Sequence, residues 1–188
     1  PWLFRHEGKD ISKAVLTVLK EYGYTGKSDR VYLQSFDVDE LKRINSELMP
    51  ALGMDLKLVQ LMAETDWNET MVYDAKGKAT PYDYDWMFKP GAMKTIAGYA
   101  DGIGPWKPMI VTEPGTPGKP VFTAMVKEAH AAGLKVHPYT FRQDEGQIPP
   151  YAKDFTDLLN IFLYQADVDG VFSDFPDKAV AVIKAHGK

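Results

Sequence analysis

Apolar and polar residues alternate with two different periods along the chain. From Ile11 to Tyr24, Ala14, Val15, Val18 and Leu19 recur at helical spacing with charged residues between them, which predicts a helix with one buried stripe. Five shorter segments are rich in β-branched, aromatic or other apolar residues and predict strands. These strands cover residues 30–35, 55–62, 100–105, 134–140 and 170–173.

Predicted helices alternate with these strands. Asp37 is placed to cap the second helix, and Glu40 is placed to reach back to it as a capping box. Strict alternation of short strands with amphipathic helices is typical of parallel βα units, so the pattern predicts an α/β fold with about five such units. After the first helix, the predicted helices cover residues 37–48, 91–99, 121–132, 155–166 and 176–186.

Two long segments break this alternation. Residues 63–90 place tryptophan, tyrosine and phenylalanine among Asp, Asn, Gly and Pro, and a connection so long and so aromatic is expected to be an ordered loop excursion. Its aromatic residues Trp67, Trp86 and Phe88 form either a packed cover or a wall for a substrate, and the packed cover is the expectation. Residues 105–120 hold five prolines and predict a second irregular stretch.

Composition excludes several classes of function. The chain has 188 residues, of which 45% are apolar and 26% charged, and this is the balance of a folded domain. Its formal charge of −4 gives no general attraction to nucleic acid. No apolar run reaches the roughly 18–20 residues that cross a bilayer. The chain contains no cysteine, which excludes disulfides, iron–sulfur clusters and thiolate zinc sites.

Two architectures are built from parallel βα units, an open doubly wound sheet and the eight-stranded βα barrel. The open sheet is expected to carry a glycine-rich phosphate turn after an early strand, and neither of the first two predicted strands is followed by one. Gly98, Gly102 and Gly104 do not have the spacing of a dinucleotide-binding motif. Polar residues lie at strand ends, where a barrel builds its site. Five units do not close a barrel, so either the sheet is open or three units are absent.

Several residues at strand ends are candidates for a site. Gln34 and Ser35 either cap the following loop or turn towards a ligand, and Phe36 either packs on the helix or forms a substrate wall. Gln60 belongs to a buried strand, where its amide needs polar partners that a site would supply. His137 lies inside a strand and is expected to be a hydrogen-bonded core residue.

Other polar residues are expected to be structural. Asp174 precedes Pro176 and is expected to cap the last helix, with metal binding as the alternative. Arg142 is expected to be a surface arginine, with a contact to phosphate as the alternative. No catalytic role is expected for the three remaining histidines, His6, His130 and His186.

Five stretches that together run through nearly the whole chain carry a resemblance to a known family. They are VYLQSFDVDELKRI (Val31 to Ile44), LVQLMAETDWNET (Leu58 to Thr70), YDWMFKPGAMKTIAGYADGIGP (Tyr84 to Pro105), KVHPYTFR (Lys135 to Arg142) and DGVFSDFPDKAV (Asp169 to Val180). These stretches resemble the bacterial glycerophosphodiester phosphodiesterases, specifically the larger periplasmic type. The final Asp-x-Pro motif is common across that family, and the tryptophan-rich excursion is more particular to this subgroup.

The resemblance implies a TIM-type βα barrel that hydrolyses glycerophosphodiesters to glycerol 3-phosphate and an alcohol. The family uses two histidines as acid and base and a divalent metal, usually calcium, held by carboxylates. Its HR, ExD, HD and ExK motifs do not occur here in the family's order. By the family's layout, residues 1–188 are a single incomplete domain, the C-terminal portion of the barrel with strands four to eight. No catalytic or metal-binding residue is therefore expected in this span, and the ligands of calcium or another divalent cation are expected upstream of Pro1.

For this chain the resemblance implies a part in substrate binding. Tyr139 and Thr140 occupy the place where many relatives carry an aromatic residue that touches the glycerol side of the substrate. An amphipathic ring suits that contact, because its face packs on carbon and its hydroxyl can donate. The predicted substrate-binding residues are thus Gln34, Ser35, Phe36, Gln60, Tyr139 and Thr140.

The resemblance also implies partners and a location. The expected partners are a small glycerophosphodiester and the missing N-terminal part of the same barrel, with neither nucleic acid nor a membrane span. A periplasmic location is expected from the subgroup. The alternative is a non-catalytic barrel that acts as a surface or ligand-binding protein, and the upstream sequence would decide between the two.

Overall fold

The computed structural model describes residues 1–112 and 119–187, and the chain divides into two compact units, Pro1–Gly102 and Ile103–Lys188. The predicted irregular stretch over 105–120 falls partly outside the described residues. That residues 1–188 form one incomplete domain stays a prediction, and each unit is described by itself. Every helix in the described ranges is too short or too polar to cross a membrane.

The first unit is built on two parallel strands that are connected by a helical segment. Parallel strands need such a crossover, so the two strands and the helices between them form one βα unit, as the sequence predicts. The elements are α1 (Trp2–His6), α2 (Ile11–Glu21), β1 (Tyr32–Ser35), α3 (Val38–Arg43), a π-helical turn (Ile44–Leu48), α4 (Met49–Leu52), β2 (Lys57–Leu61), β3 (Met71–Tyr73), β4 (Ala79–Pro81) and α5 (Ala92–Ile96).

The β1 and β2 pair lies over the core of the first unit. Leu33 stands opposite Leu58, and Ser35 stands opposite Gln60. The three central residues of β2, Leu58, Val59 and Gln60, are buried. The largest fully buried side chains of the unit are Leu16, Leu41, Met49, Leu56, Leu58, Met62, Tyr84, Met87 and Ile96.

Asp37 caps α3 as predicted, but Glu40 does not complete a capping box. The Asp37 carboxylate accepts a hydrogen bond from the Glu40 N–H at 3.0 Å. The Glu40 carboxylate is buried and accepts from Arg43 at 2.6 Å instead, with Arg5 at 3.2 Å. Arg43 also donates two bonds of 2.9 Å to Asp10, the N-cap of α2. The Glu40 carboxylate, which the sequence predicts to complete the cap, therefore connects α1, α2 and α3 through its bonds with Arg5 and Arg43.

The buried face of α2 is not the predicted stripe. Leu16 and Ser12 are buried and Leu19 is half-buried, whereas Val15 and Val18 are exposed. The apolar spacing correctly predicts the helix, but it carries no information on which face meets a neighbour. The exposed side carries a second apolar stripe at helical spacing, made of Ile11, Val15, Val18 and Tyr22.

The 63–90 excursion contains an antiparallel hairpin of β3 and β4 between two short 3-10 turns. Tyr84 and Met87 of the excursion are buried, whereas Trp67 and Phe88 are exposed. The large buried side chains of the excursion are thus Tyr84 and Met87, whereas Trp67 and Phe88, which were expected to form the packed cover, are exposed.

The second unit continues the order of strands and helices. Its first strand, β5 (Gly102–Gly104), lies beside β8 (Lys135–Val136), and the Ile103 carbonyl accepts from the His137 N–H at 2.9 Å. The elements are β5 (Gly102–Gly104), a 3-10 turn (Lys107–Met109), β6 (Val111–Thr112), β7 (Val121–Phe122), α6 (Met125–Ala131), β8 (Lys135–Val136), α7 (Phe155–Asn160) with a π-helical turn (Ile161–Gln165), and α8 (Pro176–Ala185).

Three predictions in the second unit are wrong in their bounds. The strand predicted over 134–140 covers only Lys135–Val136. The helix predicted over 121–132 begins only at Met125, because its first two residues form β7 and pair with β6. The strand predicted over 170–173 is reduced to a single parallel bridge between Ser173 and Phe141. A three- or four-residue apolar segment is too short for its pattern to distinguish a strand from an extended loop.

Asp169 joins three parts of the second unit. Its carboxylate accepts from Lys135 Nζ at 2.7 Å and from the Val136 N–H at 2.9 Å, and it lies 2.8 Å from His130 Nε2. Burial would raise the pKa of Asp169, but these bonds lower it overall. His130 thus takes part in the attachment of α6 to the start of β8.

Candidate functional site

The carboxyl ends of β1 and β2 lie side by side because the two strands are parallel. Ser35 ends β1 and stands opposite Gln60, the residue before the end of β2. The structure therefore brings the predicted residues Gln34, Ser35, Phe36 and Gln60 to one edge of the first unit, which is where a βα fold places its site.

The side chain of Gln60 is fully buried, and its amide is bonded at both ends. Nε2 donates to the carbonyls of Leu61 at 2.8 Å, Phe36 at 3.2 Å and Ser35 at 3.4 Å. Oε1 accepts from the Tyr99 hydroxyl at 3.1 Å. A buried amide needs such partners, and here the protein supplies them. Gln60 fixes the loop after β1 to β2, and its direct contact with a substrate stays a prediction.

The residues after β1 are held by their own loop and by a tyrosine. Ser35 Oγ accepts from the Asp37 N–H at 3.0 Å, which is the loop-capping alternative. The Tyr84 hydroxyl donates to the Phe36 carbonyl at 3.1 Å. Gln34 points to the other face of β1 and is exposed, so its side chain remains accessible.

Tyr84 and Tyr99 support this edge, and the sequence did not single them out for the site. Burial raises the pKa of Tyr84 to about 12 and likewise raises the pKa of Tyr99. Both hydroxyls therefore keep their protons at neutral pH and remain donors. The sequence shows both as aromatic residues that suit a core, and their hydroxyl partners become visible only in the fold.

In the second unit, the segment with Tyr139 and Thr140 is held against the residues that follow β5. Tyr139 forms a parallel bridge with Trp106. Its N–H donates to the Pro105 carbonyl at 3.1 Å, and its carbonyl accepts from the Lys107 N–H at 3.2 Å. Both predicted residues are half-buried. The backbone of this segment is therefore fixed, and its contact with a glycerol group stays a prediction.

Lys107 is a buried residue that the sequence did not point to. Its Nζ donates to the Thr140 carbonyl at 2.6 Å and lies 5.3 Å from the centre of the Phe141 ring. Burial lowers the pKa of Lys107, and the positive charge of Arg142 lowers it further. The sequence feature that could have pointed to Lys107 is its position three residues after the end of β5. It lies in a stretch where the family resemblance is weakest.

Asp174 does not cap the last helix, contrary to the expectation. α8 begins without a side-chain cap, and it is Ser173 Oγ that accepts from the Phe175 N–H, at 3.0 Å. Asp174 lies 3.4 Å from Arg142 Nε, which also donates to Asp144 at 2.9 Å. These three side chains are about half exposed, so solvent screens both ion pairs.

His137 and His186 have aromatic neighbours. The His137 ring packs edge-on against Phe172, with 6.4 Å between the ring centres. Gly170 gives this ring room, because a Cβ there would lie 3.1 Å from its Cδ2. The His186 ring stacks on Tyr164 with 3.9 Å between centres. These contacts account for the place of both rings in the second unit.

A cleft of about 600 Å³ lies within the excursion after β2. Glu64, Asp66 and Asp85 contribute carboxylates to its lining, and Phe88 contributes an exposed ring. The Thr65 hydroxyl donates to Asp85 at 2.7 Å and fixes that carboxylate. The negative charge of the lining disfavours an anionic phosphate in this cleft.

The chain is similar to known proteins over nearly its whole length. The glycerophosphoryl diester phosphodiesterase family model matches residues 3–178. A glycerophosphodiester phosphodiesterase from Haemophilus influenzae is 49% identical over 98% of this chain and 50% of its own length. One from Treponema pallidum is 42% identical over 96% of this chain and 50% of its own length. The chain thus spans about half the length of the curated relatives it matches.

A solved structure supports the fold. A protein from Silicibacter pomeroyi, assigned to the glycerophosphoryl diester phosphodiesterases, matches with a TM-score of 0.54 and 19% identity over 94% of this chain and 44% of its own. Together with the parallel strands of the first unit, this likeness confirms the predicted α/β fold of the TIM-barrel type. From the family match over residues 3–178, we conclude that this chain belongs to the glycerophosphoryl diester phosphodiesterase family.

Proposed function

We propose that the whole protein to which this chain belongs hydrolyses glycerophosphodiesters to glycerol 3-phosphate and an alcohol. The observation that carries the proposal is the 49% identity, over 98% of the chain, to the glycerophosphodiester phosphodiesterase of Haemophilus influenzae. The alternative of a non-catalytic binding protein has no similar observation in its favour.

Within this activity, we propose that the chain supplies walls for the substrate. In the first unit, Gln34 offers an accessible amide, while Gln60 and Tyr84 hold the Phe36 carbonyl and so fix the strand end. In the second unit, backbone hydrogen bonds fix the segment that carries Tyr139, and we propose its half-buried ring as the apolar contact for glycerol.

The described residues do not fit the divalent metal that the resemblance implies. Across residues 1–112 and 119–187, no three His, Asp or Glu side chains come together in a way that could hold a metal ion. Calcium prefers six to eight oxygen ligands, largely carboxylates. We therefore propose that calcium or another divalent cation, together with the two catalytic histidines, is held by a part of the protein outside this chain.

We further propose that the N-terminal part of the same barrel is the partner of this chain. The half-length coverage of both relatives supports this proposal. The exposed apolar stripe on α2, which includes Val15, Val18 and Tyr22, is a surface that a neighbouring element would cover. A periplasmic location is proposed from the resemblance to the larger periplasmic type.

Identification of the products tests the proposal. The whole protein is incubated with glycerophosphocholine and calcium, and the products are followed by phosphorus NMR for the phosphate esters and by proton NMR for choline. We expect glycerol 3-phosphate and choline in equal amounts, because the bond between phosphorus and the choline oxygen breaks and water supplies the new oxygen. Phosphocholine and glycerol as products would refute the proposal. A sample treated with a chelator is the control.

A further inference from the structure

Lys107 brings a positive charge into the interior of the second unit. Only 8% of its surface is exposed. Its ammonium group has three hydrogens, and the Thr140 carbonyl accepts one of them at 2.6 Å. Among the residues that the structure describes, no carboxylate lies within ion-pair distance of Nζ. The charge of Lys107 therefore has a neutral acceptor but no counter-ion in these ranges.

The charge of Arg142 does not balance this charge. Arg142 is a second cation, and its field makes the ammonium form of Lys107 less favourable. Arg142 is itself paired with Asp144 at 2.9 Å and with Asp174 at 3.4 Å. Those two carboxylates pair with Arg142, so within residues 1–112 and 119–187 neither of them balances the charge of Lys107. A buried charge without a partner is strongly unfavourable.

A structural role alone does not explain why the residue is charged. The bond to the Thr140 carbonyl needs only a donor, which a neutral amide also provides. The contact with Phe141 needs only a side chain that fills the space, although a cation over an aromatic ring adds some attraction. A glutamine would meet both needs without burying a charge. An anion supplied from solution would complete the charge balance.

We propose that Lys107 contacts the phosphate oxygens of the substrate at the carboxyl end of β5, beside Tyr139 and Thr140. This inference rests on the proposed function, which supplies the ligand, a glycerophosphodiester; inorganic phosphate shares the same oxyanion chemistry. Charge-assisted hydrogen bonds from an ammonium group to phosphate are strong. The Lys107 N–H also donates to the Tyr139 carbonyl at 3.2 Å. Lys107 therefore carries the ammonium group and also holds the backbone of Tyr139, the residue predicted to contact glycerol.

A thermal-shift measurement on the whole protein gives the first test. Inorganic phosphate is titrated into the wild type, and sodium chloride at matched ionic strength is the reference. We expect phosphate to raise the Tm of the wild type, because a ligand of the folded state stabilises it. Lys107→Gln keeps a donor for Thr140 but removes the charge, and it should lose most of this rise. The control, Lys127→Gln, replaces an exposed lysine of α6 and should keep it.

The inference is overturned if the wild type shows no phosphate-specific rise, or if Lys107→Gln keeps the full rise. The wild-type result alone can overturn it, so the inference remains falsifiable if the variant does not fold. Lys107→Met serves as a second neutral variant with similar length.

Inhibition kinetics separate a phosphate contact from a general distortion. We expect Lys107→Gln to weaken inhibition by glycerol 3-phosphate about 10- to 100-fold, the range for a hydrogen bond to a charged group. Inhibition by glycerol, which is neutral, should be unchanged. Equal weakening for both would show a structural role only and would overturn the inference.

The proposed function and this inference fail in different ways. If the wild type hydrolyses glycerophosphocholine while Lys107→Gln keeps its KM and its inhibition by glycerol 3-phosphate, the inference fails and the function stands. If the wild type does not hydrolyse the diester but its phosphate-specific rise in Tm depends on Lys107, the oxyanion site stands and the function fails.

Discussion

The Tyr99 hydroxyl donates to Gln60 Oε1 at 3.1 Å, and both side chains are buried in the first unit. Tyr99→Phe removes the donor and leaves the amide oxygen without that partner, so we expect the free energy of unfolding to fall by about 1–3 kcal/mol. Urea denaturation measures this change. Tyr22→Phe is the matched control, because that ring is 78% exposed, and it should shift stability by less than about 0.5 kcal/mol. Similar small effects for both variants would contradict this view of Gln60.

Asp10 gives a prediction about pH at the same scale. Hydrogen bonds from Arg43 hold the pKa of Asp10 at about 2, below its ordinary value of 3.8. Since the pKa is lower in the folded state, the stabilisation is complete above about pH 4 and is lost as the pH falls towards 2.

Asp10→Asn isolates this ion pair, because asparagine still provides an oxygen for the N-cap of α2. At pH 7 we expect the variant to be less stable than the wild type by about 1–2 kcal/mol, after allowance for solvent screening. The difference should shrink between pH 4 and pH 2, as measured by urea denaturation at several pH values. A difference that stays constant over this range would show that Arg43 does not lower the pKa of Asp10.

The sequence predicted the position of the candidate residues better than their contacts. Ser35 and Gln60 lie at strand ends, as alternation of strands and helices indicates. Their partners come from distant parts of the chain: Tyr84 lies 48 residues after Phe36, and Tyr99 lies 39 residues after Gln60. A local sequence pattern carries no information about residue pairs that are so far apart in the chain. Lys107 was not predicted for the same reason, because Thr140, which accepts its hydrogen bond, lies 33 residues further along the chain.

At the scale of elements, α2 shows the limit of apolar periodicity. Leu16 is fully buried, whereas Val18, which belongs to the predicted stripe, is 51% exposed. We expect Leu16→Ala to lower the free energy of unfolding by about 2–4 kcal/mol, because it removes buried methyl groups and leaves a cavity. Val18→Ala should change it by less than about 0.5 kcal/mol. Urea denaturation of the two variants, measured on residues 1–188, checks the expectation. The reverse order of the two effects would mean that the predicted stripe packs after all.

Other element predictions failed where tertiary pairing replaced a local preference. The sequence VFTAMVKEAHAA fits a helix from Val121, but its first two residues pair with β6 and the helix begins at Met125. α1 was not predicted as a helix, because five residues are too few for a period to be recognised. By contrast, β1, α3 and β2 lie within their predicted ranges, and Asp37 marks the start of α3 as its cap.

At the scale of the whole molecule, the chain belongs to the family but spans about half the length of the curated relatives it matches. The match over residues 3–178 shows the family, while the relatives are about twice as long. The described residues offer fixed strand ends, an accessible Gln34 and a buried cation at Lys107, but no cluster of three metal-binding side chains. In the proposed function, this chain contacts the substrate, while another part of the protein supplies the acid, the base and the metal.

The rate of glycerol 3-phosphate release from glycerophosphocholine, by the whole protein and by residues 1–188 side by side, tests this account most directly. With calcium, the account predicts turnover by the whole protein and none by residues 1–188. Failure of the whole protein to release glycerol 3-phosphate with calcium, magnesium or manganese would contradict the proposed activity. Turnover by residues 1–188 alone would contradict the assignment of the acid, the base and the metal to another part of the protein.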